Sequence, residues 1–72
     1  MKINYYPDTD SLYIELSAQE SSESIEVSEG FVFDYDMNGA LVGIEIDNAE
    51  KKINLRELIL NKLPLDTQKL SA

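Results

Sequence analysis

Residues 31–46, FVFDYDMNGALVGIEI, decide the fold of this chain. Apolar side chains alternate with other residues on both sides of Asn38-Gly39, a pair that favours the tight turn of a β-hairpin. Alternation with a period of two allows each strand to bury one face. The stretch therefore predicts two antiparallel strands, at 31–35 and 41–46, around which the remaining segments pack.

Three further segments have strand patterns. Residues 2–6 and 11–16 flank residues 7–10 (PDTD), which have turn chemistry, so they predict a first hairpin. A third strand is brief, at 25–27, and the polar segment 17–24 before it is predicted to be a loop. Because the connections are short, sequential strands are expected to pair as an antiparallel meander of four or five strands.

The pattern changes period after residue 47. Asn54 is a suitable N-cap, and Leu55, Leu58 and Ile59 then recur at helical spacing up to Pro64, which prevents continuation. We predict one C-terminal α-helix, from about residue 55 to residue 61 or 62, packed on one face of the sheet. The chain is then a single α+β domain over residues 1–72, with 63–72 as a loosely ordered tail. The predicted core is Leu12, Ile14, Phe33, Ile44, Leu58 and Ile59.

The charge of the chain is strongly negative and unevenly distributed. Fourteen Asp and Glu against six Lys and Arg give a net charge of −8. Residues 1–50 hold twelve acids and one base, hence −11, and residues 51–72 hold two acids and five bases, hence +3. Such a field disfavours nucleic acid and anionic membranes and attracts basic proteins, although its simplest role is solubility. No apolar run suits a signal peptide or a transmembrane helix, so a cytoplasmic location is expected.

The chain contains neither His nor Cys, so a general base would have to be Asp or Glu. Asp8 and Asp10 have a simpler role as turn residues, and Tyr13 as the cover of a sheet face. Glu45 is interpreted as an outward carboxylate paired across strands, although Gly43 beside it leaves room for close approach. We therefore expect no enzyme activity, no catalytic residue and no cofactor.

The residues around the hairpin turn also match the calcium loop of the EF-hand. Asp34, Asp36, Asn38 and Gly39 stand at its spacing, with Glu45 as the final ligand. An EF-hand requires a helix on each side, whereas strand patterns flank this loop. At about 3.3 Å per residue, a strand also carries its last carboxylate away from the turn. The hairpin is preferred and no metal is assigned, but a metal-binding hairpin stays as an alternative.

Three motifs resemble a known family. They are residues 6–14 (YPDTDSLYI), 30–34 (GFVFD) and 39–46 (GALVGIEI), in this order. Together they resemble the small bacterial family called domain of unknown function 2283, over about residues 5–49. The resemblance implies a short, acidic, β-rich domain without an established activity. Some members look like gene neighbours of small toxin-like proteins, which implies an antitoxin or inhibitor role but assigns no residue a function.

A binding module is the class of protein that these observations favour. One short helix covers only one face of the predicted sheet, so the opposite face is expected to be exposed, partly apolar and acidic. Its predicted residues are Tyr13, Glu15, Glu26, Val32, Asp34, Leu41 and Glu45. Such a surface suits a second copy of the chain or a basic protein partner. We therefore predict a non-catalytic protein-interaction module, with the metal-binding hairpin or mimicry of nucleic acid as alternatives.

Overall fold

A computed structural model describes residues 1–64, which form an antiparallel sheet followed by one short helix. The predicted class is confirmed: this is a small α+β fold made mostly of strands. Residues 65–72, to which most of the predicted tail belongs, lie outside the described residues. The elements are β1 (Lys2–Tyr6), β2 (Ser11–Glu15), β3 (Glu23–Ser28), β4 (Phe31–Tyr35), β5 (Leu41–Asp47) and α1 (Ala49–Lys52).

The strand order differs from a simple meander. Neighbouring strands follow the order β1-β2-β5-β4-β3, and every pair is antiparallel. The β1–β2 hairpin and the β3–β4–β5 unit therefore lie side by side, joined by the pairing of β2 with β5. A central strand has neighbours on both edges, and β5 occupies that position with its residues Val42, Gly43 and Ile46 buried. The predicted meander is wrong in this respect.

The turn between β4 and β5 is closed by Asp36. Its Oδ1 accepts hydrogen bonds from the backbone N–H groups of Asn38 and Ala40, each at 2.9 Å. The backbone N–H of Gly39 also donates to the Asp36 carbonyl at 3.0 Å. Gly39 has a φ of 82°, which a residue without a Cβ adopts at little cost. The hairpin predicted from residues 31–46 is confirmed.

The apolar face of the sheet carries two rows of side chains that cross the strands. Residues paired directly across strands share a face, so the register identifies each row. The first, which we call the covered row, contains Tyr5, Leu12, Ile46 and Phe31. The second, which we call the open row, crosses all five strands and contains Ile3, Ile14, Ile44, Phe33 and Ile25.

The covered row lies beneath α1 and the residues that follow it. Ala49 forms one cluster with Leu12 and Ile46, and Ile53 and Leu55 pack against that cluster. Among the six predicted core residues, Leu12 is buried and Ile14, Phe33 and Ile44 are only half-buried. The buried apolar residues within 1–64 are Leu12, Val42, Ile46 and Ala49.

The helix lies earlier in the chain than the sequence predicts. α1 spans four residues, and residues 55–61 are not helical. Asn54 does accept a hydrogen bond from the N–H of Arg56 at 3.1 Å, as an N-cap would, but the turn does not propagate. A short helix needs tertiary packing on its apolar side, and Leu58 and Ile59 are each 65% exposed. Their assignment to the core is therefore wrong.

The beginning of α1 is attached to the β1–β2 turn by Asp10. The carboxylate of Asp10 accepts hydrogen bonds from the N–H of Glu50 at 3.1 Å and the hydroxyl of Tyr5 at 2.9 Å. Its backbone carbonyl accepts another from the N–H of Ala49 at 2.9 Å. Asn48, at the N-cap position, makes no side-chain capping bond, so a carboxylate distant in sequence caps the helix instead.

The end of α1 is attached to the β3–β4 turn by Lys52. Its Nζ donates to the carbonyls of Glu29 at 3.1 Å and Asp47 at 2.7 Å, and lies 4.9 Å from the centre of the Phe31 ring. Gly30 has a φ of 75°, and a Cβ on it would collide with the Lys52 ammonium. The helix thus crosses one end of the sheet, from β2 towards β4. No helix in the described part of the chain has the length and apolar character needed to cross a membrane.

Candidate functional site

The face opposite α1 presents a polar row that crosses all five strands. The register aligns Asn4, Tyr13, Glu45, Val32 and Glu26 in that order. Four of the seven residues predicted for the exposed face therefore lie side by side. The remaining three do not belong to this row: Glu15 and Asp34 both pair with Gly43, and Leu41 lies opposite Tyr35, beyond an irregularity in the pairing.

Tyr13 is held across this face by Asp34. The Tyr13 hydroxyl donates to Asp34 Oδ2 at 2.8 Å, and Ser24 Oγ donates to Oδ1 of the same carboxylate at 2.6 Å. The Tyr13 ring lies over Gly43, where an added Cβ would lie 2.7 Å from its Cζ. The space that the sequence analysis noted beside Glu45 is thus filled by a side chain of the same protein.

The hydrogen bond to Asp34 makes Tyr13 a poor acid–base group. It raises the pKa of Tyr13 to about 12, with smaller contributions from burial and from neighbouring carboxylates. A phenol with the ordinary pKa of 10.0 is already protonated at neutral pH, and the bond to Asp34 moves its ionisation further from neutrality while the hydroxyl donates to the carboxylate. This hydrogen bond fixes the position of the ring on the sheet. It also makes the hydroxyl unsuited to proton transfer at neutral pH.

Glu45 lies in a locally acidic environment. Burial is the main cause that raises its pKa, followed by the charge of Asp47, a side-chain hydrogen bond with Asp47 and the charge of Asp34. Asp47 also accepts a hydrogen bond from Ser11 Oγ at 3.3 Å. A half-buried group of three carboxylates concentrates negative charge at the centre of this face, which attracts cationic groups of a partner.

The structure disperses the four candidate metal ligands over two places. Asp36 and Asn38 close the hairpin turn, where the Asp36 carboxylate is occupied by two backbone N–H groups. Asp34 and Glu45 lie on the polar face, and both oxygens of Asp34 accept hydroxyl groups. Within residues 1–64, no three or more His, Cys, Asp or Glu side chains are grouped to hold a metal ion.

Sequence reasoning missed the open row as an exposed surface. It placed the exposed face opposite the helix, whereas α1 leaves much of its own side uncovered. Four helical residues extend about 6 Å, and five strands make a sheet about 24 Å wide. Ile3 and Ile25, at the two ends of the open row, are 46% and 44% exposed. The alternation of apolar residues in each strand could have predicted that these side chains share a face. It could not have predicted their exposure, which depends on where the helix lies.

A groove continues the open row on the side of β1 and β2. It has a volume of about 930 Å³ and lies between these strands and residues 50–58. Residues 51–62, which we call the basic segment, contain four bases and one acid and form part of its wall. The apolar side chains that line the groove are Ile3, Tyr5, Leu12, Ile14, Ile53, Leu55 and Leu58.

These features define a small α+β domain with a five-stranded antiparallel sheet, one acidic face and one partly uncovered apolar face. Residues 2–50 match the family described as Protein of unknown function (DUF2283). The chain belongs to this family, and the resemblance noted in its sequence is confirmed. The match includes all five strands and ends within α1. No curated protein and no solved structure matches the chain.

Proposed function

We propose that this protein is a cytoplasmic, non-catalytic protein-interaction module that binds another protein chain through its sheet. The observation that carries the proposal is the open row, which crosses all five strands and ends in half-exposed isoleucines. A contiguous apolar surface of this kind on a small domain is typical of an interface. The partner is either a second copy of the chain or a basic protein inhibited by it.

The polar side chains support a non-catalytic role. The carboxylates of Asp10, Asp34 and Asp36 each accept two hydrogen bonds from other groups of the chain. The bond of the Tyr13 hydroxyl to Asp34 moves its ionisation further from neutrality. These three carboxylates therefore have structural roles: Asp36 closes the β4–β5 turn, Asp10 caps α1, and Asp34 fixes Tyr13 on the polar face.

The charge of residues 1–50 supports a protein partner over nucleic acid or a membrane. A net charge of −11 repels phosphate groups, and a basic surface would approach the acidic face around Glu45. Association with such a surface would be faster at low salt, because salt shortens the range of these forces.

The experiment that tests this function is photo-crosslinking inside the source cell. A photoreactive amino acid replaces Ile25 in the open row or, as a matched control, Met37 in the hairpin turn, which is 88% exposed. We expect covalent adducts with a defined protein, identified by mass spectrometry, from position 25 and not from position 37. Equal and unspecific labelling at both positions would contradict the proposed function.

A further inference from the structure

We infer that the free edge of β1 pairs with β1 of a second copy of this protein, so that two five-stranded sheets join into one continuous antiparallel sheet. The inference goes beyond the proposed function, because it concerns an edge of the sheet and not the open row on its face. The protection of the two edges, the direction of the backbone groups and the side chains of β1 all favour this pairing.

The two edge strands among residues 1–64, β1 and β3, differ in how they are protected. β3 carries Glu23 and Glu26, and its pairing with β4 is irregular between Glu26 and Ser28. Charges and bulges of this kind discourage further strands from pairing. β1 pairs with β2 without irregularity, and its one charged side chain, Lys2, extends to within 4.0 Å of Glu15 on β2. All five residues of β1 are exposed, so its edge is accessible to another strand.

Ile3 and Tyr5 are the residues of β1 whose backbone groups point away from the sheet. On the other side of β2, the N–H of Leu16 donates to the carbonyl of Val42 on β5 at 2.8 Å. The direction of these bonds alternates along an antiparallel strand, so the residues of β2 that bond to β1 are those opposite its first, third and fifth residues. The N–H and C=O groups of Ile3 and Tyr5 therefore point to the free edge, ready to pair with another strand.

Two-fold symmetry permits few registers between two β1 strands. An axis perpendicular to the sheet sets one residue opposite itself, and an axis at Asn4 pairs all five residues of the strand. Ile3 then lies opposite the partner's Tyr5, and the reverse. Because both residues direct their backbone groups to this edge, each of these pairs exchanges both of its N–H···O bonds. An axis at Ile3 pairs fewer residues of β1, and an axis at Tyr5 brings Pro7, which has no N–H, into the pairing.

The side chains of β1 are complementary to one another in this register. Ile3 opposite the partner's Tyr5 is a pair of a β-branched and an aromatic side chain on the apolar face, a combination that stabilises sheets. On the other face Lys2 lies opposite the partner's Tyr6, where the ammonium can contact the ring. At the centre Asn4 lies beside the partner's Asn4, and two amides can exchange hydrogen bonds. No two like charges are opposed.

The position of α1 is compatible with this pairing. Asp10 attaches α1 at the end of the sheet where β1 finishes with Tyr6. Antiparallel pairing places these ends of the two copies far apart, so the two helices lie at opposite ends of the shared edge. Residues directly opposite each other share a face, so both apolar faces lie on the same side of the joined sheet.

The first test measures the molar mass of the purified full-length chain by light scattering over a series of concentrations. A contact of one strand from each copy is small, so we expect weak association, with a mass that rises from 8.1 kDa towards twice that value. Two chains of net charge −8 repel each other, so raised salt should strengthen the dimer. A chain that stays at 8.1 kDa up to about 1 mM would overturn the inference.

The second test removes one outward N–H group. Ile3→Pro deletes a hydrogen bond from each Ile3–Tyr5 pair and should weaken the dimer at least roughly tenfold. Ser24→Pro is the matched control on β3. The N–H of Asp47 donates to the carbonyl of Gly30 at 2.8 Å, and the same alternation directs the Ser24 N–H to the free edge of β3. Edge strands accept proline at such positions, so both variants are expected to fold. Equal dimerisation by the two variants would contradict the pairing of β1.

Asn4→Lys provides a second variant, which keeps every backbone hydrogen bond. It sets two ammonium groups directly opposite each other and should weaken the dimer, whereas a mixture of Asn4→Lys and Asn4→Glu should restore it. Far-UV circular dichroism checks that each variant is folded. A folded Asn4→Lys chain that dimerises as strongly as the wild type would overturn the register.

A disulfide tests the same register directly. The chain has no Cys, so Asn4→Cys introduces a single thiol. In the inferred dimer, position 4 is a non-hydrogen-bonded pair with Cα atoms about 4.5 Å apart, which a disulfide can span. Under mild oxidation we expect Asn4→Cys to form a covalent dimer much faster than Met37→Cys, a control in the exposed turn. Equal rates for the two variants would overturn the pairing.

The two proposals fail in different ways, because Ile25 lies on the edge strand opposite β1 and stays free in the dimer. If the chain dimerises through β1 and photo-crosslinking at position 25 captures no protein, the second copy stands and the interaction module is wrong. If position 25 captures a protein and the purified chain stays monomeric, the module stands and the pairing of β1 is wrong.

Discussion

The covered row and the open row lie next to each other on one face of one sheet, yet their burial differs on the central strands. Both consist of apolar side chains, and they are separated by two residues along each strand, or about 7 Å. On the central strands β2 and β5, Leu12 and Ile46 of the covered row are 7% and 5% exposed, whereas Ile14 and Ile44 of the open row are half-buried. On the edge strand β1 the two rows differ little, since Tyr5 is 39% and Ile3 46% exposed. Strand composition does not explain this difference. The position of α1, Ile53 and Leu55 does.

The largest expected effect compares two neighbouring residues of β5. Ile46→Ala should lower the free energy of unfolding by about 2–5 kcal/mol, because it opens a cavity beneath α1. Ile44→Ala, in the half-buried open row, should cost about half as much in dilute solution. Urea denaturation at low protein concentration measures both values.

Protein concentration sharpens this comparison. If a second copy covers the open row, the cost of Ile44→Ala should grow as the concentration rises, because binding stabilises the folded state by mass action. The cost of Ile46→Ala should change much less. Equal costs for the two substitutions at every concentration would show that the rows do not differ in burial.

The next effect concerns the attachment of α1, which lies over the covered row. Asp10→Ala removes the acceptor of the Glu50 N–H and of the Tyr5 hydroxyl, and should cost about 0.5–2 kcal/mol, as the loss of a helix cap does. It should also expose the covered row, detected as increased binding of a hydrophobic dye. Asp8→Ala is the matched control, since the Asp8 side chain makes no hydrogen bond within residues 1–64. Similar dye binding by the two variants would contradict the role of Asp10.

The smallest effect tests the other face of the same strands. The pKa of Tyr13 rises from 10.0 to about 12 on folding, so the folded state retains this proton at pH values where the unfolded state loses it. The contribution of Tyr13 to stability is therefore complete below pH 10 and is lost as the pH rises towards 12. Tyr13→Phe should remove this part of the decline in alkaline solution. Neither row of the apolar face is involved, so any binding of a partner through the open row should be unchanged.

The pKa of Tyr13 can be measured directly, because the ionised phenol absorbs ultraviolet light differently from the protonated one. A titration of the wild type should show one phenol that ionises near pH 12, and Tyr13→Phe should lack it. Tyr5, whose pKa is raised by its hydrogen bond to Asp10, provides the comparison on the apolar face. A Tyr13 phenol that ionises with the ordinary pKa would contradict the bond to Asp34.

The amino-acid sequence by itself determined the strands, the hairpin and the family. Alternation in residues 31–46 predicts β4 and β5, and Asn38-Gly39 predicts the turn between them, because these signals arise from neighbouring residues. The motifs shared with the family lie in the same strands. The common sheet face of Tyr13, Glu26, Val32 and Glu45 was predicted as well, since alternation in each strand brings these residues into one row.

Only the tertiary structure decided the strand order, the place of the helix and which apolar row is covered. The position of β5 depends on pairing with β2 across more than twenty-five intervening residues, which no local pattern encodes. α1 forms at residues 49–52 because Asp10 and Lys52 hold it against distant turns. The amphipathic pattern of residues 55–62 stays non-helical because, within residues 1–64, Leu58 and Ile59 lack a packing surface and are each 65% exposed. Burial depends on contacts between distant segments, and a period in the sequence shows only which side chains are suited to it.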